Sequence, residues 1–395
     1  VIMTIASFLV SVMYFIARTL MRTQNSGGGK KKGGIAVLGI VALVFYWIGS
    51  LLLLFLSRSR EYLADEFSAT HTKKPDALSR ALVKIAFGLL EAPDTTQSND
   101  LAKATRSLGL FDPQMAKGYA AAFISDQKGA SKSNVKGAIA FDLHAIWAKW
   151  LEIFSSHPLT GKRIQRLESW NTSKQLYQTS DIAKMKVDTS RLWKGFLIDI
   201  LIQQSVIIFG IIGIILVGML AIQLSEGTSF VASLRDALDA LGFVTVIVGI
   251  GLLLTAWYRF PGNQFPSSNV GMLMQNIYAS PVRGYPVSLK GKIIGKGQPG
   301  YVFAEDTVLQ DKTGLLYLNY ESGIPLLGNL LFSLTKTKEL INKEVAVTGW
   351  FLRGIGQQLA LNQIQTTPTI HSRQRVYAYA AGFIAVGLGI VLIIL

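Results

Sequence analysis

A chain of 395 residues, half of them apolar and only 16% charged, has room for two or three domains and the composition of a membrane protein. It contains no cysteine, which excludes disulfides, thiol catalysis and thiolate metal sites and leaves nitrogen and oxygen as donors for any zinc. A formal net charge of +15 would direct a soluble protein to nucleic acid, but here the lysines and arginines are spread along the chain and flank apolar runs. Anionic lipid headgroups are the expected counterpart.

Apolar runs of membrane length occur at Val1–Met21, Ile35–Leu56, Phe196–Leu224, Leu241–Tyr258 and Val376–Leu395. Each approaches the ~20 residues that cross ~30 Å of hydrocarbon. The first does not read as a secretory signal, because its charges, Arg18 and Arg22, lie at its C-terminal end. In the fourth and shortest, Gly242, Gly249 and Gly251 allow close helix packing, with a re-entrant or buried helix as the alternative.

The polar block at 57–195 shows helical spacing of apolar residues in Ala77–Leu90 and Val135–Phe154, with Pro75 and Asp76 suited to a helix start. Residues 93–100 read as a loop, and Gly129–Gly137, rich in small polar residues and lysine, as a mobile segment able to gate a cleft.

From Pro261 the character changes. Short alternating runs at Val287–Ile294, Gly314–Tyr320, Glu344–Phe351 and Gln358–Ile364, with glycine at the bends, predict a small barrel. A helix, Leu326–Leu340, is expected between strands in the manner of an OB-type barrel. Tyr317, Tyr320, Trp350 and Phe351 fit either its core or an exposed stacking surface; no nucleic acid is expected, and an interaction or regulatory module is the reading preferred.

The chemistry-bearing stretch is Ser57–Ala69, where Glu61 and Asp65, four residues apart, share one helix face directly after an apolar run. By spacing alone this is a solvated, salt-bridged face with Arg58 and Arg60 as neighbours, or a carboxylate pair serving a metal. The stretch resembles the Arg-Glu-x-x-Ala-Asp signature of the HtpX-like integral-membrane zinc metallopeptidases. Downstream, Ser155 to Ile164 is similar to that family's Ser/Thr-His-Pro block, with Arg163 six residues after His157. The two blocks stand in family order behind a membrane hairpin, and the resemblance covers residues 1 to about 170.

The resemblance implies Glu61 as a zinc ligand and Asp65 as its supporting carboxylate, bonded to a ligating histidine. It also implies His157 as a donor to the oxyanion, with a turn-capping histidine as the alternative, and Arg163 as a holder of that turn through carboxylate contacts. His71, His144 and His371 match no motif. The family's His-Glu-x-x-His is absent, and with it two histidine ligands and the general base. Because the chain opens on Val1 inside an apolar run, a fragment cut just downstream of that motif is expected, with a degenerate pseudoenzyme as the alternative.

The fold class implied is mainly α: a polytopic membrane protein with a helical metallopeptidase domain and a C-terminal small β-barrel (OB-like) domain. Its parts would be a transmembrane hairpin (1–56), the soluble part of the metallopeptidase (57–195), a second hairpin (196–260), the barrel (261–375) and a C-terminal transmembrane helix (376–395). Two spans separate the soluble block from the barrel, which puts both on one side. The basic flanks Arg58, Arg60, Lys184, Lys186, Arg191, Lys194, Arg373 and Arg375 point to the cytoplasm, while Lys30, Lys31 and Lys32 disagree. The function implied is a zinc-dependent endopeptidase, in which zinc-bound water attacks a peptide carbonyl. Membrane proteins or peptides at the bilayer would be its substrates, in quality control. The rival is an inactive membrane scaffold.

Overall fold

The computed structural model describes residues 2–23, 32–91, 133–170, 176–224, 230–296, 307–325, 327–354 and 357–394. The expected loop at 93–100 and the beginning of the 129–137 segment lie outside them.

The chain starts with a helical hairpin, α1 (Ile2–Thr23) and α2 (Lys32–Thr72). Antiparallel packing brings Gly39 against Met21 and Gly49 against Val10. Helix α2 runs unbroken for 41 residues, roughly 60 Å at 1.5 Å per residue. No glycine or proline interrupts it from Leu51 to Thr72. One rigid rod therefore carries both the apolar run and the Ser57–Ala69 stretch beyond it. The rod ends where Lys73 turns left-handed at φ 54°, and α3 (Pro75–Glu91) starts as its Pro75 and Asp76 require.

The soluble helices that follow are α4 (Ser133–His144), α5 (Ile146–Ile153), α6 (Thr160–Ser169) and α7 (Thr179–Ala183). The single helix expected over Val135–Phe154 is broken at Ala145, whose backbone is extended at ψ 131°. His144 sits at the break with Nε2 2.7 Å from the Ile182 carbonyl. The gating segment expected at 129–137 is helical from Ser133, and Gly137 is wedged where an added Cβ would lie 3.1 Å from the Met274 carbonyl. Its C-terminal part is core, not a gate.

The run Phe196–Leu224 is not one helix. It is divided between α8 (Thr189–Gln203) and α9 (Ser205–Leu224), bent by 54° at Gln204. Polar groups force the break: buried Asp199 accepts from Trp147 Nε1 at 2.8 Å and Tyr258 Oη at 2.6 Å, and Ser205 Oγ bonds the Gly251 carbonyl and Thr255. Helix α8 is thereby tied to the soluble block. Helix α10 (Phe230–Arg259) starts well before the fourth run at Leu241 and covers all of it.

Among the described residues four helices are long and apolar enough to cross a membrane, or five spans if the bent pair α8 and α9 counts as one. Helix α10 packs on α14 (Gln374–Ile394) at glycine contacts. A Cβ at Gly249 would lie 2.8 Å from the Val386 nitrogen, and one at Gly242 2.7 Å from the Gly389 carbonyl. Backbone meets backbone there, which only small residues allow.

Between these helices stand α11 (Val270–Met274) and six strands: β1 (Tyr285–Lys296), β2 (Thr307–Gln310), β3 (Leu315–Asn319), β4 (Glu344–Arg353), β5 (Gln357–Gln365) and β6 (Ile370–His371). Their order is β3-β2-β1-β4-β5-β6, and a parallel β3–β5 pairing closes the first five into a barrel. The helix expected at Leu326–Leu340 is two, α12 (Leu327–Leu334) and α13 (Lys336–Leu340), between β3 and β4.

Alternate residues Val287, Leu289 and Ile293 of β1 point inward with Leu316, Leu318, Val347 and Phe351. Tyr317, Tyr320, Trp350 and Phe351 are all buried, which removes the exposed stacking surface from consideration. The barrel core is continuous with the helical one through Val135, Ile139 and Met274. Arg353 fastens the junction, donating to the Met274 carbonyl and lying over the Phe141 ring at 3.8 Å.

Candidate active site

Helical spacing puts Glu61 and Asp65 on the same side of α2, and there they meet α6 and the loop before it. Helix α6 turns Gly161, Arg163, Ile164, Leu167 and Glu168 into the core. It is anchored at its far end by fully buried Glu168, which accepts from Thr179 N at 2.9 Å, Thr179 Oγ1 at 2.7 Å and Tyr177 N at 2.5 Å. At its near end Asp142 accepts from Gly161 N at 2.8 Å, while Glu152 accepts from Leu159 N at 3.1 Å and pairs with Lys162. The His157–Pro158 turn is thus held from both sides.

Arg163 is the hub. Its Nε and Nη2 donate to the two oxygens of Asp65, each at 2.7 Å, and its Nη1 to Glu61 Oε2 at 2.8 Å. The other Glu61 oxygen pairs with His157 Nδ1. All four side chains are at least four-fifths buried. Burial opposes the Arg163 charge, but the hydrogen bond and charge of Asp65, with Glu61 behind them, outweigh it and hold the guanidinium above its ordinary pKa. Since a carboxylate only accepts, His157 carries its proton on Nδ1 and leaves Nε2 as its second polar atom.

The four residues singled out in the sequence therefore converge from two stretches about a hundred positions apart. Arg163 contacts the carboxylates of Glu61 and Asp65, and both Asp65 oxygens accept from it. His71 bonds the Phe67 carbonyl of its own helix, His144 closes α4, and His371 is exposed on β6.

Arg58, which the sequence offers only as a basic neighbour of the carboxylates, has a part in the site that it does not signal. It lies one turn before Glu61 on α2, and its Nη1 donates to the carbonyls of Glu152 at 2.7 Å and Ser155 at 2.6 Å. It so caps the C-terminal end of α5 and fixes the start of the His157 turn.

Among the described residues no group of three or more histidines, aspartates and glutamates could hold a metal. Glu61 is shared by Arg163 and His157, and Asp65 is committed to Arg163. These donors do not by themselves make a zinc site.

Residues 1–171 match the model of Peptidase family M48. This segment is similar to the M48 peptidases, and its relatives make it HtpX-like. Over 169 residues it is 34% identical to Protease HtpX homolog 2 of Methanosarcina mazei, covering 42% of this chain and 46% of that protein. It is 29% identical over 172 residues to a Protease HtpX homolog of Syntrophobacter fumaroxidans, and 30% over 170 residues to one of Pyrobaculum calidifontis. The chain spans about half the length of the curated relatives it matches. No solved structure matches it. The HtpX-like segment contains α1 to α6 and all four convergent residues, while α7 to α14 and the barrel lie beyond the family match.

Proposed function

We propose that the protein containing this chain is a membrane-bound endopeptidase acting on membrane proteins or peptides beside the bilayer, in membrane protein quality control. The observation that carries this reading is the convergence of Glu61, Asp65, His157 and Arg163 inside the HtpX-like segment. The protease names of the relatives support it.

In this reading Glu61 is a metal ligand, and Arg163, fixed by Asp65, sets the direction of its oxygens. His157 faces the reacting carbonyl. Zinc is the metal that the resemblance suggests; the described donors do not complete a site for it, so no step is assigned to them through it. The barrel is read as OB-like because its strand order, its parallel β3–β5 closure and the helices between β3 and β4 agree with that pattern. With Tyr317, Tyr320, Trp350 and Phe351 buried, its role is read as interaction or regulation. The domain scheme given above and a cytoplasmic placement of both soluble parts belong to the same proposal.

The second reading, a non-catalytic scaffold, is favoured by the hydrogen bonds that reach every Glu61 and Asp65 oxygen from Arg163 and His157. The intact protein in detergent micelles separates the two. A peptidase cleaves an unfolded substrate such as casein and stops on addition of a chelator. A scaffold leaves the substrate whole under every metal condition.

A further inference from the structure

A cavity of about 340 Å³ lies between α5, α8 and the segment that leads into β1, and none of Glu61, Asp65, His157 and Arg163 lines it. Three cations line it, Arg191, Lys194 and Arg283, against a single carboxylate, Asp199. That carboxylate is buried and already accepts from Trp147 and Tyr258, and its nearest approach to the Arg283 guanidinium is 4.0 Å. The cations are held at the wall: Arg191 stacks on the Tyr278 ring at 4.3 Å, and Arg283 donates to the Tyr278 carbonyl at 3.1 Å. The wall of the cavity carries more positive charge than Asp199 balances.

Its position says which anion. Helix α8 buries Leu192, Phe196 and Asp199 and exposes Trp193, Leu197 and Leu201, the latter by 54%, 54% and 59%. An apolar stripe at i, i+4 and i+8 beside basic residues is the pattern of a helix lying in a membrane surface. Trp150 and Phe154 of the neighbouring helix are exposed too and cluster with Trp193 around Phe196. Tryptophans gather at the headgroup level of a bilayer. Two covalent and polar links set that level independently: α8 bends directly into the apolar α9, and Arg58, just past the apolar run of α2, is bonded to the end of α5. The mouth of the cavity thus stands where the apolar helices leave hydrocarbon.

We propose that this cavity receives the phosphate headgroup of an anionic phospholipid, with the acyl chains lying along Trp193, Leu197 and Leu201. The site would seat the barrel and soluble helices on the membrane at a fixed tilt, since its walls come from both. It stands apart from the peptidase reading and does not depend on it.

The test is lipid retention by the full chain. The protein is reconstituted in phosphatidylcholine nanodiscs containing a minor fraction of phosphatidylglycerol, then released and examined by native mass spectrometry. One phosphatidylglycerol should stay bound in preference to phosphatidylcholine. The R191Q/K194Q double variant should retain at least tenfold less, while Lys312→Gln on the barrel surface should retain as much as wild type. Equal thermal melting of the variants establishes that the loss is not unfolding, and K194Q alone, on an exposed lysine, serves if the double variant melts early. Equal retention of the two lipids, unchanged retention in the variants, or displacement of the lipid by millimolar inorganic phosphate would each overturn the proposal.

Discussion

Arg163 grips both oxygens of Asp65 from a planar fork, Nε and Nη2 each at 2.7 Å, while its third arm reaches Glu61 at 2.8 Å. Two helices that are remote in sequence are locked by this one guanidinium. Bidentate geometry of this kind belongs to arginine and is not reproduced by lysine.

Removing either partner should therefore be costly. Arg163→Gln leaves the buried Asp65 and Glu61 charges uncompensated, which costs about 3–5 kcal/mol, and Asp65→Asn breaks the two-oxygen grip but costs less, because Arg163 keeps Glu61 as its counter-charge. Both variants should melt below wild type in micelles. Arg163→Lys should recover only part of the loss, because a point charge cannot engage both Asp65 oxygens and Glu61 together. Wild-type melting for Arg163→Gln would mean that the lock is not structural.

Glu66 provides the contrast. It pairs with Arg166 at 2.8 Å, yet both side chains are more than a third exposed. An ion pair so open to water is worth about 0–1 kcal/mol. Glu66→Gln should leave melting and any peptidase activity close to wild type.

The glycine contacts of α10 and α14 yield a paired test. Gly249→Leu must push Val386 and its backbone away, whereas Gly218 on α9 has no atom within 4 Å of an added Cβ. The first substitution should lower the melting temperature markedly and the second should not. Equal tolerance at the two positions would contradict the close approach of these helices.

Arg58→Gln should loosen the His157 turn without touching the Arg163 lock. We expect small loss of global stability, since the loss is confined to hydrogen bonds on a local turn, but faster amide exchange over 152–157. The measurement is hydrogen exchange followed by mass spectrometry; unchanged exchange there would remove Arg58 from the site.

Glu61, Asp65, His157 and Arg163 were legible because the first two share a helix face by arithmetic and the other two sit in a block whose resemblance named them. Arg58 was not, since its role depends on α5 ending beside α2, a long-range fact with no local signature. Strands β1, β3, β4 and β5 were visible as alternating runs. Strand β2 has four residues and β6 two, too few for a period to register. The bend at Gln204 was hidden for a different reason: Gln203, Gln204 and Ser205 are outweighed by apolar neighbours on both sides, and only the partners of Asp199 and Ser205 make the turn necessary. The break at Ala145 likewise follows from a tertiary bond, that of His144 to the Ile182 carbonyl. Sequence pattern thus located the elements; contacts between distant segments decided where they stop.

The most direct measurement compares Glu61→Gln with wild type and Glu66→Gln in the intact protein, with zinc content by mass spectrometry and hydrolysis of an unfolded substrate read on the same samples. An amide at position 61 can still accept from Arg163 but lacks the charge a metal ligand needs, so Glu61→Gln should remain folded while losing zinc and nearly all hydrolysis. Glu66→Gln should keep both. Zinc and hydrolysis at wild-type levels in Glu61→Gln would contradict the placing of the active site at Glu61, Asp65, His157 and Arg163.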